Sequence, residues 1–184
     1  MDIKVFDDFL PEYIQDNLYN FCIDGKINFK YFKQTLKGYE DYQDGGYEDG
    51  EQFASDVLGD GLSHYFLLPL QIASLMDGFE FESKNIYRSK INFKLKVDTN
   101  KKKFINPPHR DHNFENGVIG IYYLNDSDGD TIIYEGEDVN NLKIMKEVSP
   151  KKGRLLLMNS GLYHAASHPV KTEKRLIINY NLIF

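Results

Sequence analysis

The sequence predicts an α+β protein that is mainly β, in which helices near the N-terminus support a core of short strands. Three observations lead to this prediction. Apolar residues recur at helical spacing in the first part of the chain, they alternate with polar residues from residue 79 onward, and turn-forming residues separate several later segments. Many short strands divided by turns are typical of a sandwich or a barrel. We expect one domain over residues 1–184, because no linker or repeat interrupts the pattern.

Residues 1–78 are expected to be mostly helical. A first helix is predicted to begin near Pro11 and to end near Gly25, with one apolar stripe at a period of 3.6. That stripe consists of Ile14, Leu18, Phe21 and Cys22. A second helical stretch is predicted over residues 51–76, with interruptions at Gly59, Gly61 and Pro69. Its apolar face consists of Phe53, Val57, Leu58, Leu62, Phe66, Leu70 and Ala73.

Residues 38–50 separate these two stretches and are polar, acidic and rich in glycine. Three tyrosines, at positions 39, 42 and 47, are spread through the segment. The simpler interpretation is a solvated surface loop. The alternative is a lid that places its tyrosines on a substrate.

From residue 79 the period changes to two, which indicates strands. Ile91, Phe93, Leu95 and Val97 alternate with polar residues and predict a half-buried strand. Further strands are predicted over residues 118–124, 131–134, 144–148, 154–158, 162–167 and 175–183. Turns at 125–129, 150–153 and 159–161 separate several of these strands.

Composition excludes several classes of protein. The 22 Lys and Arg against 28 Asp and Glu give a net charge of −6, which argues against a dedicated nucleic-acid binder. A single cysteine, Cys22, excludes an intrachain disulfide framework and a cysteine-rich zinc ribbon. No targeting segment is visible, and the most apolar window, residues 65–76, is too short to span a membrane. We expect a soluble, cytoplasmic protein without a membrane partner, and the sequence predicts no particular oligomeric state.

His109 and Asp111 form the first candidate site. Residues i and i+2 of an extended chain share a face, so an imidazole and a carboxylate converge there. Taken alone, the pair is better explained by a surface turn after Pro107-Pro108. His164, which follows the apolar run 155–158, supplies a third ligand. Two histidines and one carboxylate suit iron(II) with open positions, and zinc is the chemical competitor.

Two other histidines are alternatives for the third ligand. His112 has the opposite strand parity from His109, and we expect it to face away from the site. His168 precedes Pro169 at an expected strand end, so His164 is favoured over it.

The last predicted strand and the strand at 118–124 carry candidates for an anion site. Arg175 lies among apolar neighbours, which favours an anionic ligand, and the alternatives are an internal salt bridge or an outward-facing arginine at the strand start. Asn179 shares its parity, so both side chains are able to address one ligand. Tyr123 shares parity with Ile121 and ends an apolar wall, as a ligand-binding tyrosine or as a core tyrosine with a satisfied hydroxyl.

Taken in order, these motifs resemble the iron(II)/2-oxoglutarate-dependent dioxygenases, and most closely the prolyl-4-hydroxylase-like branch. The ordered set is His109-x-Asp111, Ile121-Tyr-Tyr-Leu-Asn125, Gly129-Asp-Thr131, Tyr163-His164-Ala and Arg175. The match covers about residues 85–184. It implies a double-stranded β-helix (jelly roll) as the catalytic core over 79–184, with residues 1–78 as helical support.

The resemblance also implies roles for individual residues. His109, Asp111 and His164 would bind iron(II), and Arg175 would hold the distal carboxylate of the cosubstrate 2-oxoglutarate with a hydroxyl from Tyr123. Ile121 and Ile132 would line the aliphatic part of the cosubstrate. Asn179 is a further candidate for cosubstrate binding, and Asn92 or Lys94 are candidates on the strand before the His-x-Asp pair. Asp130 stands where many relatives have a second glycine.

The activity implied is hydroxylation with O2, which releases succinate and CO2. The substrate would be a prolyl or other peptide residue, or a small molecule. The acidic loop favours a basic peptide, whereas Lys101-Lys-Lys103 favours an anionic partner. Two other functions remain open, a non-enzymatic cupin-like module that binds a metal or ligand, and a zinc hydrolase that uses the same three ligands.

Overall fold

The structure is a computed structural model that describes residues 3–34, 49–57, 63–77, 81–112, 114 and 116–184. Within these ranges the chain forms three α-helices and eleven strands. The helices are α1 (Glu12–Ile23), α2 (Ser63–Phe66) and α3 (Leu68–Asp77). The strands are β1 (Lys4–Phe6), β2 (Lys30–Phe32), β3 (Gln52–Asp56), β4 (Ile86–Leu95), β5 (Phe104–Ile105), β6 (Gly117–Tyr123), β7 (Thr131–Glu135), β8 (Lys143–Val148), β9 (Leu155–Asn159), β10 (His164–His168) and β11 (Lys174–Ile183).

The strands form two antiparallel sheets. A seven-stranded sheet has the order β1-β9-β6-β11-β4-β3-β2, and a four-stranded sheet has the order β5-β10-β7-β8. One buried cluster draws on both sheets, since Ile133 and Val148 of the small sheet pack with Ile119, Leu156 and Ile177 of the large one. The sheets therefore face each other across an apolar layer, and the mainly β prediction is confirmed.

The other face of the large sheet is covered by the helices. Leu18 and Cys22 of α1 share a buried cluster with Leu157 and Tyr180 of the large sheet. The prediction for this helix is confirmed, and Gly25 follows its end with a φ of 74°, a left-handed conformation that glycine adopts without strain. Helix α1 thus supports the sheet from the side opposite the small sheet.

The predicted helix over 51–76 is wrong in its first part. Residues Gln52–Asp56 form β3, which pairs with β4 in the register Phe53↔Phe93. The rings of these two phenylalanines lie 6.1 Å apart, so pairing with a long neighbouring strand outweighs a weak local helical pattern. The helical prediction holds for α2 and α3, with Pro69 in the first turn of α3, where its missing N–H costs no helical hydrogen bond.

The strands β6 to β11 are confirmed to within about two residues at each end, and β4 is confirmed but begins earlier than the predicted alternation over 91–97. The strands β1, β2 and β5 were not predicted. Those three strands have only two or three residues, too few to show an alternation. In β4 the polar face borders a cavity: Lys94 is only 2% exposed, and Lys90 and Asn92, which also border the cavity, are half-buried. The expected loop or lid, residues 38–50, lies outside the described residues except for its last two positions. Among the described helices, none combines the length and apolar character that crossing a bilayer requires.

Candidate metal centre and its cavity

His109 and His164 are held side by side by the backbone. Each residue donates its N–H to the carbonyl of the other at 2.9 Å, which makes an isolated antiparallel bridge at the end of β10. Directly paired residues project their side chains to the same side, and the two rings lie 4.6 Å apart. Asp111, two residues beyond His109, reaches the same point, since its Oδ1 is 3.6 Å from His109 Nε2. The three candidate ligand atoms all lie within 4.8 Å of one another.

The hydrogen bonds of the two imidazoles determine which nitrogen faces this point. Nδ1 of His109 is 3.2 Å from the carbonyl of Pro107, and Nδ1 of His164 is 3.2 Å from the carbonyl of Leu162. A carbonyl only accepts, so each Nδ1 carries the proton and donates it. The lone pairs of both Nε2 atoms are left for a ligand. This is the arrangement that metal-binding histidines adopt.

Asp111 is oriented by two amides and one guanidinium. The Nδ2 atoms of Asn179 and Asn181 both donate to its Oδ2 at 3.0 Å, and Arg88 lies 3.3 Å from its Oδ1. Burial opposes ionisation of this carboxyl, but His109, His164 and Asn179 outweigh burial and hold its pKa well below the usual range. The group is therefore a carboxylate, and Oδ1 is the oxygen on the side of His109.

His164 is the most enclosed of the three residues. Burial, followed by the neighbouring His109, lowers the pKa of His164 to about 4. The ring is therefore neutral at pH 7, as a metal ligand must be.

These residues open into a cavity of about 260 Å³ between the two sheets. Its walls include Ile121, Thr131 and Ile177, and two buried cations, Arg175 and Lys94, also border it. The cavity is slightly below the range of about 300–1,000 Å³ usual for small-molecule sites. It thus offers a metal-ligand set, an apolar middle and a cationic region in one compartment.

Arg175 is almost fully buried. Its Nε donates to the carbonyl of Gly129 at 2.6 Å, and its Nη2 donates to Oγ1 of Thr131 at 2.9 Å. Burial lowers the pKa of this guanidinium, which nevertheless stays charged at any physiological pH. The two hydrogen bonds fix the direction of the guanidinium beside the cavity.

Lys94 lies next to Arg175 in register, one strand away. Its Nζ donates to Oδ1 of Asn106 at 2.9 Å and lies 3.2 Å from Nε2 of His168. Burial, followed by the charge of Arg175, lowers the pKa of Lys94 to about 7. Asp49 and Asp130 act on these two cations from nearby and favour their charged forms. A buried lysine beside a buried arginine still presents several N–H donors to the cavity, and such a pair is suited to a carboxylate.

The remaining predicted residues fall in different places. Ile121 lines the cavity, as does Asn179, whose amide contacts Asp111. Tyr123 is buried behind Thr131, to which its hydroxyl donates at 2.7 Å. The prediction for Ile132 is corrected, because Ile132 packs with Tyr134 on the opposite face of β7 and does not border the cavity. Strand parity places Thr131 on the cavity side instead.

The two alternative histidines lie outside the ligand cluster. His168 contacts Lys94, while His112 packs against Phe114 and Tyr87. Sequence reasoning missed Asn181 and Arg88, which contact Asp111. Asn181 carries a signal that could have found it, since it continues the alternation of Arg175 and Asn179 along β11. Arg88 carries none without knowledge of the β4–β11 pairing.

Comparison with known proteins gives no matching family model and no matching curated protein. Solved structures do match. A prolyl-4-hydroxylase from Pseudomonas putida superposes with a TM-score of 0.61 at 16% identity, over 98% of this chain and 91% of that one. A prolyl hydroxylase from Trichoplax adhaerens, in complex with a hypoxia inducible factor peptide fragment, has a TM-score of 0.61 at 14% identity, over 98% and 83% of the two chains.

A third neighbour is HygX from Streptomyces hygroscopicus, a structure with nickel and 2-oxoglutarate bound. Its TM-score is 0.65 at 11% identity, and the match covers 98% of this chain and 82% of that one. Identities this low show a shared fold. The resemblance to 2-oxoglutarate and iron(II) oxygenases predicted from the sequence is confirmed at that level.

Proposed function

We propose that this protein is an oxygenase that uses iron(II), 2-oxoglutarate and O2 to hydroxylate its substrate, with succinate and CO2 as the other products. The observation that carries the proposal is the convergence of His109, Asp111 and His164 at one end of a cavity that Arg175 also borders. The fold shared with such oxygenases supports it. We further propose that the two facing sheets form one double-stranded β-helix domain.

The residues present fit the ion. Two imidazoles, each of which donates from Nδ1 to a carbonyl and has Nε2 toward the site, and one carboxylate form the ligand set that suits iron(II) and leaves positions open for other ligands. Bound iron(II), with 2-oxoglutarate and O2, supplies an oxidant able to break a C–H bond. The protein holds the ligands in place through the His109–His164 bridge and the amides on Asp111.

The residues beside the centre fit 2-oxoglutarate. Arg175 and Lys94 offer charge and N–H donors to its distal carboxylate, in a region where both cations lack bulk water. Ile121 and Ile177 line the same cavity and would contact its two methylene groups and exclude water from them. Oγ1 of Thr131 accepts hydrogen bonds from both Arg175 and Tyr123. Tyr123 therefore orients Arg175 indirectly, through Thr131.

The substrate itself is proposed only as a peptide residue or a small molecule. The Trichoplax neighbour is in complex with a peptide, which supports a peptide as one candidate.

The experiment that tests the function is anaerobic addition of iron(II) and 2-oxoglutarate. We expect a weak visible charge-transfer band and, once O2 is admitted, release of succinate. Iron-loaded protein that shows neither result would overturn the proposal, and activity restored by zinc alone would favour a hydrolase.

Replacing Asn181 by alanine is expected to weaken metal binding about tenfold or more, because partners of metal ligands typically contribute 10–100-fold to affinity. Asp111 would keep one amide donor, from Asn179, and lose the other. Titration with iron(II) under anaerobic conditions measures the change. Asn140→Ala is the matched control, since Asn140 is exposed and bonds only to Asp138. Equal affinities of the two variants would show that Asn181 does not position the ligand.

The affinity for 2-oxoglutarate is expected to fall as pH rises above about 7. Lys94 has a pKa of about 7 in the unliganded protein, and a bound carboxylate raises it. Above pH 7, Lys94 must therefore take up a proton when 2-oxoglutarate binds, and this requirement weakens binding. Below pH 7, Lys94 is already protonated and no proton is taken up. Calorimetry with the metal-loaded protein at pH 6.5 and 8.5 measures the difference. Lys94→Met should bind more weakly and lose most of this pH dependence, whereas an unchanged profile would remove Lys94 from the site.

A further inference from the structure

The cavity has a charge opposite to that of the chain as a whole. Five cationic side chains line it, whereas Asp111 is the one carboxylate among the described lining residues. The five are Arg88, Lys90, Lys94, Arg110 and Arg175. The whole chain has a net charge of −6. A cleft lined by one sign of charge concentrates ligands of the other sign.

The cosubstrate does not account for all of this charge. The distal carboxylate of 2-oxoglutarate matches the region of Arg175 and Lys94. The bound ion would balance the charge of Asp111 and would bind the other end of the cosubstrate. Arg88 already pairs with Asp111, so Lys90 and Arg110 are the two lining cations that the metal ligands and the cosubstrate leave unassigned. The proposed function alone does not explain why these two positive charges line the cavity.

Lys90 lies on the wall formed by the large sheet. It is opposite Asn179 on β11 and opposite Asp56 on β3. Asp56 lies on the same side of the sheet as Lys90 but is exposed and does not border the cavity, whereas Lys90 itself lines the cavity, where a ligand can reach it. Lys90 is thus a cation beside the metal centre that does not contact Asp111 directly.

Arg110 approaches from the side of the small sheet. Its guanidinium stacks on the ring of Tyr163, 4.2 Å from the centroid, and pairs with Glu137 at 2.7 Å. The Glu137 side chain is 91% exposed, and ion pairs of that kind contribute little. An incoming anion is therefore able to replace Glu137 while Tyr163 keeps the guanidinium in place.

We propose that the molecule oxidised here carries a carboxylate or phosphate group, which Lys90 and Arg110 bind from opposite walls of the cavity. The inference rests on the proposed function and deepens it by naming the substrate class. Because the cavity holds only about 260 Å³, the cosubstrate takes up much of it, and the anionic substrate sits at the entrance with its reacting carbon toward the metal.

The test measures binding near the metal without turnover. Protein loaded with Mn(II) and 2-oxoglutarate, kept free of O2, is mixed with capped amino-acid amides, and the relaxation of their protons by Mn(II) reports proximity. The matched probes are N-acetyl-glutamate amide against N-acetyl-glutamine amide, and N-acetyl-phosphoserine amide against N-acetyl-serine amide. The same four residues at the centre of capped pentapeptides distinguish a peptide substrate from a small one.

We expect at least one anionic probe to bind about tenfold or more tightly than its neutral partner, and added salt to reduce the difference. Lys90→Gln should weaken the anionic probe about three- to tenfold and leave the neutral one unchanged. Lys143→Gln removes the same charge from an exposed position outside the cavity and should have no effect. Glu137→Gln should strengthen the anionic probe, because it frees Arg110.

Equal binding of charged and neutral probes, or equal effects of Lys90→Gln and Lys143→Gln, would overturn the inference. Its failure is distinct from failure of the proposed function. If Mn(II) relaxes the methylene protons of 2-oxoglutarate but the probes show no charge preference, only the substrate class is wrong. If Mn(II) does not relax the 2-oxoglutarate protons, the proposed function itself fails.

Discussion

Replacing His164 by alanine is expected to abolish tight binding of a divalent ion and to leave the fold intact. His164 supplies one of the three ligands, and the ion cannot be held by His109 and Asp111 alone with comparable affinity. The backbone bridge to His109 uses only main-chain atoms, so it survives the substitution. We expect metal affinity to fall by at least 100-fold, measured by anaerobic iron(II) titration, and the charge-transfer band with 2-oxoglutarate to disappear.

His168→Ala is the matched control for this experiment. It removes an imidazole from the same strand, four residues further on, where the ring contacts Lys94 and not the ligand cluster. We expect this variant to bind iron(II) as the wild type does and to bind 2-oxoglutarate differently, because Lys94 loses a hydrogen-bond partner. Metal retained by His164→Ala and lost by His168→Ala would transfer the ligand role to His168.

Strand parity explains why so much of the candidate site could be predicted. Asp111 follows His109 at a spacing that places both on one face, and Asn179 follows Arg175 by two such steps along β11. The strands from β6 onward were predicted to within about two residues, and the alternation over residues 91–97 identified β4 but placed its beginning too late, since β4 is Ile86–Leu95. The sequence does not determine which strands pair, and that pairing decides which residues each face of a strand contacts.

Three residues show where that limit lies. Lys94 reads from the sequence as the solvent side of a half-buried strand, yet the small sheet covers it and turns it into a buried cation. Phe53 belongs to an apparent helical stripe, but it pairs in the structure with Phe93 of β4, which lies 40 residues further along the chain. Ile132 was assigned to the cavity by its place in a motif, although its neighbour Thr131 has the parity that faces inward.

Replacing Arg175 by methionine is expected to weaken 2-oxoglutarate binding by roughly thirtyfold or more while iron(II) binding is retained. Removing one partner of a buried charged pair typically costs about 2–5 kcal/mol of binding free energy. Arg175 contacts none of the three metal ligands, and its donors go to Gly129 and Thr131. Calorimetry with the metal-loaded variant measures the loss. Arg154→Met, which removes an arginine that pairs with Asp7 outside the cavity, should leave the affinity unchanged.

The Arg175→Met variant also tests whether Arg175 and Lys94 bind the same anion. The charge of Arg175 is one of the causes that lower the pKa of Lys94 to about 7. Without that charge the pKa of Lys94 should rise, so the remaining 2-oxoglutarate affinity should begin to fall at a higher pH than in the wild type. A weaker affinity with an unshifted pH profile would mean that Arg175 and Lys94 do not share one anion. An unchanged affinity would remove Arg175 from the cosubstrate site altogether.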